Sequence, residues 1–304
     1  MRGLARSLVL SALLACVGVG VPVTAHGDSG GIDLVLCIDV GGDARYSLET
    51  VKRSASRFLD DAFSGNPVLR VAIVAYSSAD DAPSLKVLPF TANKAAARGA
   101  ITNLTIAGEG TGGGPVFGAL LAVLKGGVIG DWRATATKIV LLIGRTPPST
   151  AGATSDDVVR AVTEMGSARI YSVLVDGLSQ TATAAFSDLA RRSGGLAVAA
   201  RAWSEATGRM LGLMNSAPLG GSADTDPRGR VVQLIGGDLD VEFDAPVTDI
   251  HPGMRVLVFS ATTPGLLIAE GPIMTGEGLR YGVETQASYS LESIRVGCVV
   301  NIVR

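Results

Sequence analysis

Histidine occurs twice in 304 residues, cysteine three times, and aromatic side chains make up only 5% of the chain. His26 borders an expected cleavage site and His251 precedes Pro252 in a turn. A histidine-built zinc centre or a Ser-His-Asp triad would therefore rest on a single residue. Charge of either sign is also lacking in excess: 26 Lys and Arg face 28 Asp and Glu, with no basic cluster. That balance leaves no electrostatic footprint for nucleic acid. The glycine-dense stretch Gly108–Gly114 has no Gly-Lys-Ser/Thr, and no GxGxxG follows the first strand pattern, so phosphate-cradling loops are missing. The acid pairs Asp60-Asp61 and Asp80-Asp81 are adjacent in sequence, where side chains do not face each other, and read as solvated surface. Trp132 and Trp203 read as packed side chains, and Asn103-Leu104-Thr105 is a glycosylation-type triplet too short to carry weight.

What is present begins with a targeting segment over residues 1–25. Arg2 and Arg6 supply a positive start, Ser7–Val23 an apolar stretch, and Val23-Thr24-Ala25 a small-residue cleavage site. Leu13-Leu14-Ala15-Cys16 is a competing lipoprotein-type signal, but apolar residues follow Cys16 where a tether is usually polar. The expected location is secreted, periplasmic or in the cell envelope. No other stretch approaches the roughly 20 apolar residues of a membrane span. Cleavage after Ala25 leaves Cys37 and Cys298, each inside an apolar run, which read as buried thiols rather than a disulfide.

The run Ile32–Ile38 is apolar except for Asp33 and ends in Asp39-Val40-Gly41-Gly42-Asp43. It predicts a central parallel strand covered on both faces, with a carboxylate delivered to the crevice where open α/β sheets bind ligands. Leu48, Val51, Ala55, Phe58, Leu59 and Ala62 then fall at helical spacing before a Ser64-Gly65-Asn66-Pro67 stop. Strands follow at Leu69–Tyr76, Lys86–Phe90, Lys138–Ile143, Ile170–Val175 and Leu196–Ala200. Helices are expected over Asn93–Leu104, Val116–Lys125, Asp156–Met165, Thr183–Arg192 and Ser204–Met214. This alternation implies right-handed crossovers and a doubly wound, mostly parallel sheet over residues 30–217. Residues 218–229 (PLGGSADTDPRG) are small, polar and turn-rich, as in a linker. Residues 230–304 hold short apolar runs at Val231–Ile235, Leu239–Phe243, Arg255–Ser260, Leu266–Ala269 and Ser293–Val303, which suggests a small β-sandwich.

Four features together resemble a von Willebrand factor type A domain of the bacterial, hemicentin-like kind. They are the strand ending in Asp39, Leu88-Pro89-Phe90-Thr91, the Gly-rich loop before a helix, and Leu142-Ile143-Gly144-Arg145-Thr146-Pro147-Pro148. Phe243–Ile250 and Thr262–Pro272 look like phrases of the small domain that follows in such proteins. The resemblance implies a divalent cation, such as Mg2+, held by oxygen ligands at the top of the sheet. Carried onto this chain, the ligand positions fall on Asp39, Gly41, Asp43, Thr111 and Arg145. Gly41 offers no side chain and Arg145 is a cation, so the implied site is degenerate and no metal cofactor is expected. Arg145 is expected in the cation's place, paired with Asp39 or Asp43. The expected function is a non-enzymatic interaction or adhesion module. Its binding face, Asp39, Asp43, Thr111 and Arg145, would engage an extracellular or cell-surface protein without metal. The alternative is an exported hydrolase using Asp39 and Asp43 as an acid/base pair.

Overall fold

The computed structural model describes residues 31–41, 48–79, 82–107, 114–144, 146–149, 152–166, 168–175, 179–200, 228–235, 238–245, 247, 255–260, 266–277, 279–284 and 299–303. The helix expected over Ser204–Met214, residues 218–227 of the expected linker, Asp80-Asp81, Trp203, both histidines and Cys298 lie outside these residues, while Arg228 and Gly229, expected at the end of the linker, already belong to a strand.

Within the first 200 residues, strands and helices alternate. The strands are β1 (Ile32–Asp39), β2 (Leu69–Ala79), β3 (Ala82–Thr91), β4 (Thr137–Ile143), β5 (Ala168–Val175) and β6 (Ala197–Ala200). The helices are α1 (Leu48–Gly65), α2 (Lys94–Thr102), α3 (Val116–Leu124), α4 (Ser155–Met165) and α5 (Gln180–Arg192). The strands lie in the order β3-β2-β1-β4-β5-β6, parallel throughout except for the β2–β3 hairpin. β1 is central, and its residues from Asp33 to Asp39 are all buried. On one face Leu34, Leu36 and Ile38 pack with α1 and α2. On the other, Val35 and Cys37 pack with α3, α4 and α5. A strand buried on both faces has no polar side to show, which is why its sequence is nearly continuous in apolar residues.

Local chemistry sets the helix ends. Thr154 and Asp157 form a reciprocal capping box that starts α4, and Gly166, at φ +71°, ends it in the left-handed region that favours glycine. Asn93 and Ser179 cap α2 and α5 by accepting from backbone N–H groups. Asp60 is no free surface acid: Lys94 and Arg98 of α2 pair with it and tie α2 to α1.

The remaining strands are β7 (Arg228–Ile235), β8 (Asp238–Phe243), β9 (Arg255–Phe259), β10 (Leu266–Glu277), β11 (Arg280–Glu284) and β12 (Val299–Val303). Where the sequence suggests a separate β-sandwich, these strands follow the order β11-β8-β7-β12-β9-β10 and close through β10–β11 into a ring. Val231, Val241, Phe243, Val256, Val258 and Val283 fill it. The ring is also continuous with the first unit, because Leu266 and Leu267 pair in parallel with Ala197 and Val198 of β6. Leu257, Phe259 and Leu267 bury their side chains in the same core as Val198, Val173 and Tyr171. An apolar sheet edge left open is an association hazard, and β10 covers this one.

Candidate functional site

The carboxyl ends of β1 and β4 carry the crevice that the sequence points to. Asp39 ends β1 and is 7% exposed. Its Oδ1 accepts the Gly41 N–H at 2.9 Å, and its Oδ2 accepts the Thr146 N–H at 3.2 Å. The first contact closes the Asp-Val-Gly turn on itself, as Asp does readily. The second reaches across to the turn after β4.

Three loops are stitched together here by backbone bonds. Val40 N–H donates to the Tyr76 carbonyl at 2.9 Å and accepts, through its own carbonyl, the Ala107 N–H at 2.8 Å. Gly114 closes the glycine-dense loop, donating to the Pro147 carbonyl at 2.7 Å and accepting the Ser149 N–H at 2.8 Å. The β1 turn, the two ends of the Gly-rich loop and the Pro-Pro turn thus form one platform.

Tyr76 of β2 stands opposite Asp39 in register, on the same face of the sheet. Its ring crosses β1 toward β4: a Cβ built on Gly144 would lie 2.9 Å from the Tyr76 hydroxyl and 3.0 Å from Phe186. Glycine at 144 is therefore what makes room for the tyrosine. The Tyr76 hydroxyl is buried without a hydrogen-bond partner among the described residues. Burial, then the negative charge of Asp39, pushes its pKa well above the ordinary value. The same two causes push the Cys37 thiol up, so it stays neutral, an inert packing group.

Of the sequence-predicted residues, the structure brings together Asp39 and Gly41; Asp43, Thr111 and Arg145 lie outside the described residues. Among the described residues no cluster of three or more His, Cys, Asp or Glu side chains could hold a metal ion. Those residues alone do not fit a hard divalent cation, which needs several oxygen ligands at once. The acid/base alternative has Asp39 in the crevice, engaged by backbone amides.

The opposite, amino-terminal edge of the sheet holds a cluster that the sequence reading passed over. Asp33, with no exposed side-chain surface, accepts Arg70 Nε at 2.9 Å and Nη2 at 2.7 Å. It also accepts Arg133 Nε and the Arg133 backbone N–H, both at 2.8 Å. Burial alone would raise the Asp33 carboxyl, but these bonds outweigh it and hold it below the ordinary value. The Arg70 guanidinium lies 4.8 Å over Phe90, which meets Trp132 edge-on at 4.9 Å. A lone Asp inside a seven-residue apolar run was the available signal.

No protein-family model matches the chain, and no curated protein matches it. Among solved structures it is similar to proximal thread matrix protein 1 from the mussel byssus, with TM-score 0.50 and 14% identity over 61% of this chain and 47% of that one. It is also similar to a von Willebrand factor type A structure from Catenulispora acidiphila (TM-score 0.47, 14% identity, 90% and 57% covered). A third is the pilus adhesin SpaC from Lactobacillus rhamnosus GG (TM-score 0.47, 10% identity, 90% and 38% covered). The chain spans about half the length of the first two of these structures. Identities this low bear on the fold alone.

Proposed function

We propose that the chain carries a domain of the von Willebrand factor A type and that it is a non-enzymatic interaction module. In this reading it is exported to the cell exterior or envelope and binds an extracellular or cell-surface protein at the top of the sheet. The binding face is built from Asp39, Asp43, Thr111 and Arg145, and it works without a metal ion. The carrying observation is the stitched platform, in which the two oxygens of Asp39 accept backbone amides from two different loops. A carboxylate used to brace loops supports a preformed protein-binding surface, since preorganisation lowers the entropic cost of association. Arg145, directly before Thr146 in sequence, supplies the cation in place of a metal, because a guanidinium can grip a carboxylate with two hydrogen bonds and stays charged.

Two measurements test this. A cation that binds only the native state at a hundredfold its Kd adds about 2.7 kcal/mol. Thermal melts with millimolar Mg2+, Mn2+ or Ca2+ should therefore leave the midpoint unchanged, whereas Arg145→Asp should acquire a cation-dependent rise. A rise in the parent that chelator and Asp39→Ala both remove would overturn metal independence. The binding face is tested by capture from extracellular material, using Thr146→Arg and Ser149→Arg, both half-buried on the platform, against the exposed Arg53→Glu on α1. Capture should be lost with the first two and kept with the third. Equal capture by all three would overturn the assignment of the face.

A further inference from the structure

We propose that the β6 edge of the first unit is a docking site for the ring of a second copy of this chain, so that two copies exchange rings and form a reciprocal dimer. The inference is independent of the platform at the top of the sheet. It starts from how the edge is covered. On one side β6 pairs with β5 along Ala197–Ala200. On the other side, among the described residues, two register pairs hold it, Leu266↔Ala197 and Leu267↔Val198. The strand that makes them is no chain neighbour, because residues 201–265, with β7, β8 and β9, come between.

The ring has what it needs to hold together without this contact. Its strands close through β10–β11, and Val231, Val241, Phe243, Val256, Val258 and Val283 pack in a core of their own. The first unit is less complete. Leu257, Phe259 and Leu267, all buried, lie in the same core as Tyr171, Val173 and Val198. With the ring lifted away, those side chains and the β6 edge would face water, and an open apolar edge is a template for another strand. The piece that fits it is present on every copy, already in the matching geometry. That names the occupant, since exchange of an identical element is a low-cost route to a dimer.

The connection is long enough. Residues 201–227 join Ala200 to Arg228. That length of chain spans up to roughly 90 Å extended, against a radius of gyration of about 19 Å for a compact chain of this size. It therefore reaches a neighbour's β6 as well as its own. Both forms bury the same residues and differ mainly in the freedom of the tether. A flexible tether gives an effective concentration in the millimolar range, so crowding copies to that level brings the two forms into balance.

The test uses full chains carrying Cys16→Ala and Cys298→Ala, with Cys37 left buried. One also carries Ala197→Cys and the other Leu266→Cys, partners in register whose side chains share one face of the sheet. The two are mixed, incubated, oxidised and separated on a non-reducing gel. The disulfide-linked heterodimer, as a fraction of chain, should be at least about tenfold more abundant at about 0.5 mM than at about 5 µM. Val68→Cys, exposed at the amino-terminal edge of the sheet, should give no such product with Leu266→Cys. The double variant Ala197→Cys/Leu266→Cys, oxidised at about 5 µM, should close the bond within one chain, as neighbouring strands allow, and stay monomeric when concentrated. Heterodimer no more abundant than the dimers of either single variant alone would overturn the proposal. So would equal linkage through Val68→Cys, which would show random collision. Failure of the double variant to close its own bond would do the same, because the ring would then not sit on β6.

Discussion

A carboxylate with no exposed surface is costly unless its charge is answered, and at Asp33 two guanidinium groups and a backbone amide answer it. Removing one partner from a buried pair costs about 3–5 kcal/mol. Here both arginines reach water, so Asp33→Asn should cost about 3 kcal/mol at pH 7, measured by denaturant unfolding. The folded carboxyl sits below its unfolded value of about 3.9. Its contribution is therefore complete above that value and is lost as pH falls through the lower, folded one. The parent should lose stability steeply below about pH 4, and Asp33→Asn should flatten that limb. Parallel pH curves would show that Asp33 is not what acid titrates. Tyr76 makes the opposite case. Its hydroxyl is buried without a partner among the described residues, so Tyr76→Phe removes an uncompensated group. The variant should be neutral or more stable by up to about 1 kcal/mol; a loss of that size would reveal an acceptor. Neither behaviour was legible in sequence, because Asp33 read as a break in an apolar run and Tyr76 as the end of a strand. Asp39 was legible, since a strand stopping at an acid before two glycines can place that acid in only one kind of position.

At the scale of elements, strands and helices of the first unit were readable because each face that needed burial advertised it. α1 buries the six residues its spacing predicts, and the strands and helices expected between Ile32 and Ala200 recur with ends moved by a few residues. The second half was harder to read. Gly271 and Pro272 look like a stop, yet β10 runs through them to Glu277. Pro272 lies at the last β9–β10 register pair, beyond which β10 turns to β11, so its missing N–H interrupts little. β11 (RYGVE) escaped notice because a mid-strand glycine and two charged ends hide its alternation. The turn after β4 shows tight packing between elements. Gly144→Ala would press a methyl group onto Tyr76 and Phe186, both fully buried. Overpacking of this kind costs about 1–3 kcal/mol. The double variant Gly144→Ala/Tyr76→Phe should recover part of the loss, since residues in contact couple. Strict additivity in a double-mutant cycle would place the strain elsewhere.

Across the whole molecule, composition and continuity point in different directions, and their combination makes the last prediction specific. Residues 218–229 are polar and turn-rich, the kind of stretch where proteases cut first. The strands on either side nevertheless belong to one sheet, joined at Leu266↔Ala197 and Leu267↔Val198. Leu257, Phe259 and Leu267 complete a core shared with residues of β1, β2, β4, β5, β6, α1 and α2. Limited proteolysis should therefore cut within 218–229 before Gly108–Gly114, and the two fragments should still elute together under native conditions. Leu267→Ala opens a cavity at a fully buried position, where large-to-small changes cost about 2–5 kcal/mol. Because that position is shared, the loss should lower the unfolding midpoint reported by the first unit as well as by the ring. Hydrogen exchange on the full chain reads the two separately, and protection in β4 to β6 should fall together with protection in β9 and β10. Fragments that separate on cleavage, or a Leu267→Ala variant whose β4 to β6 protection is unchanged, would mean that the ring is merely tethered to the first unit and does not finish its core.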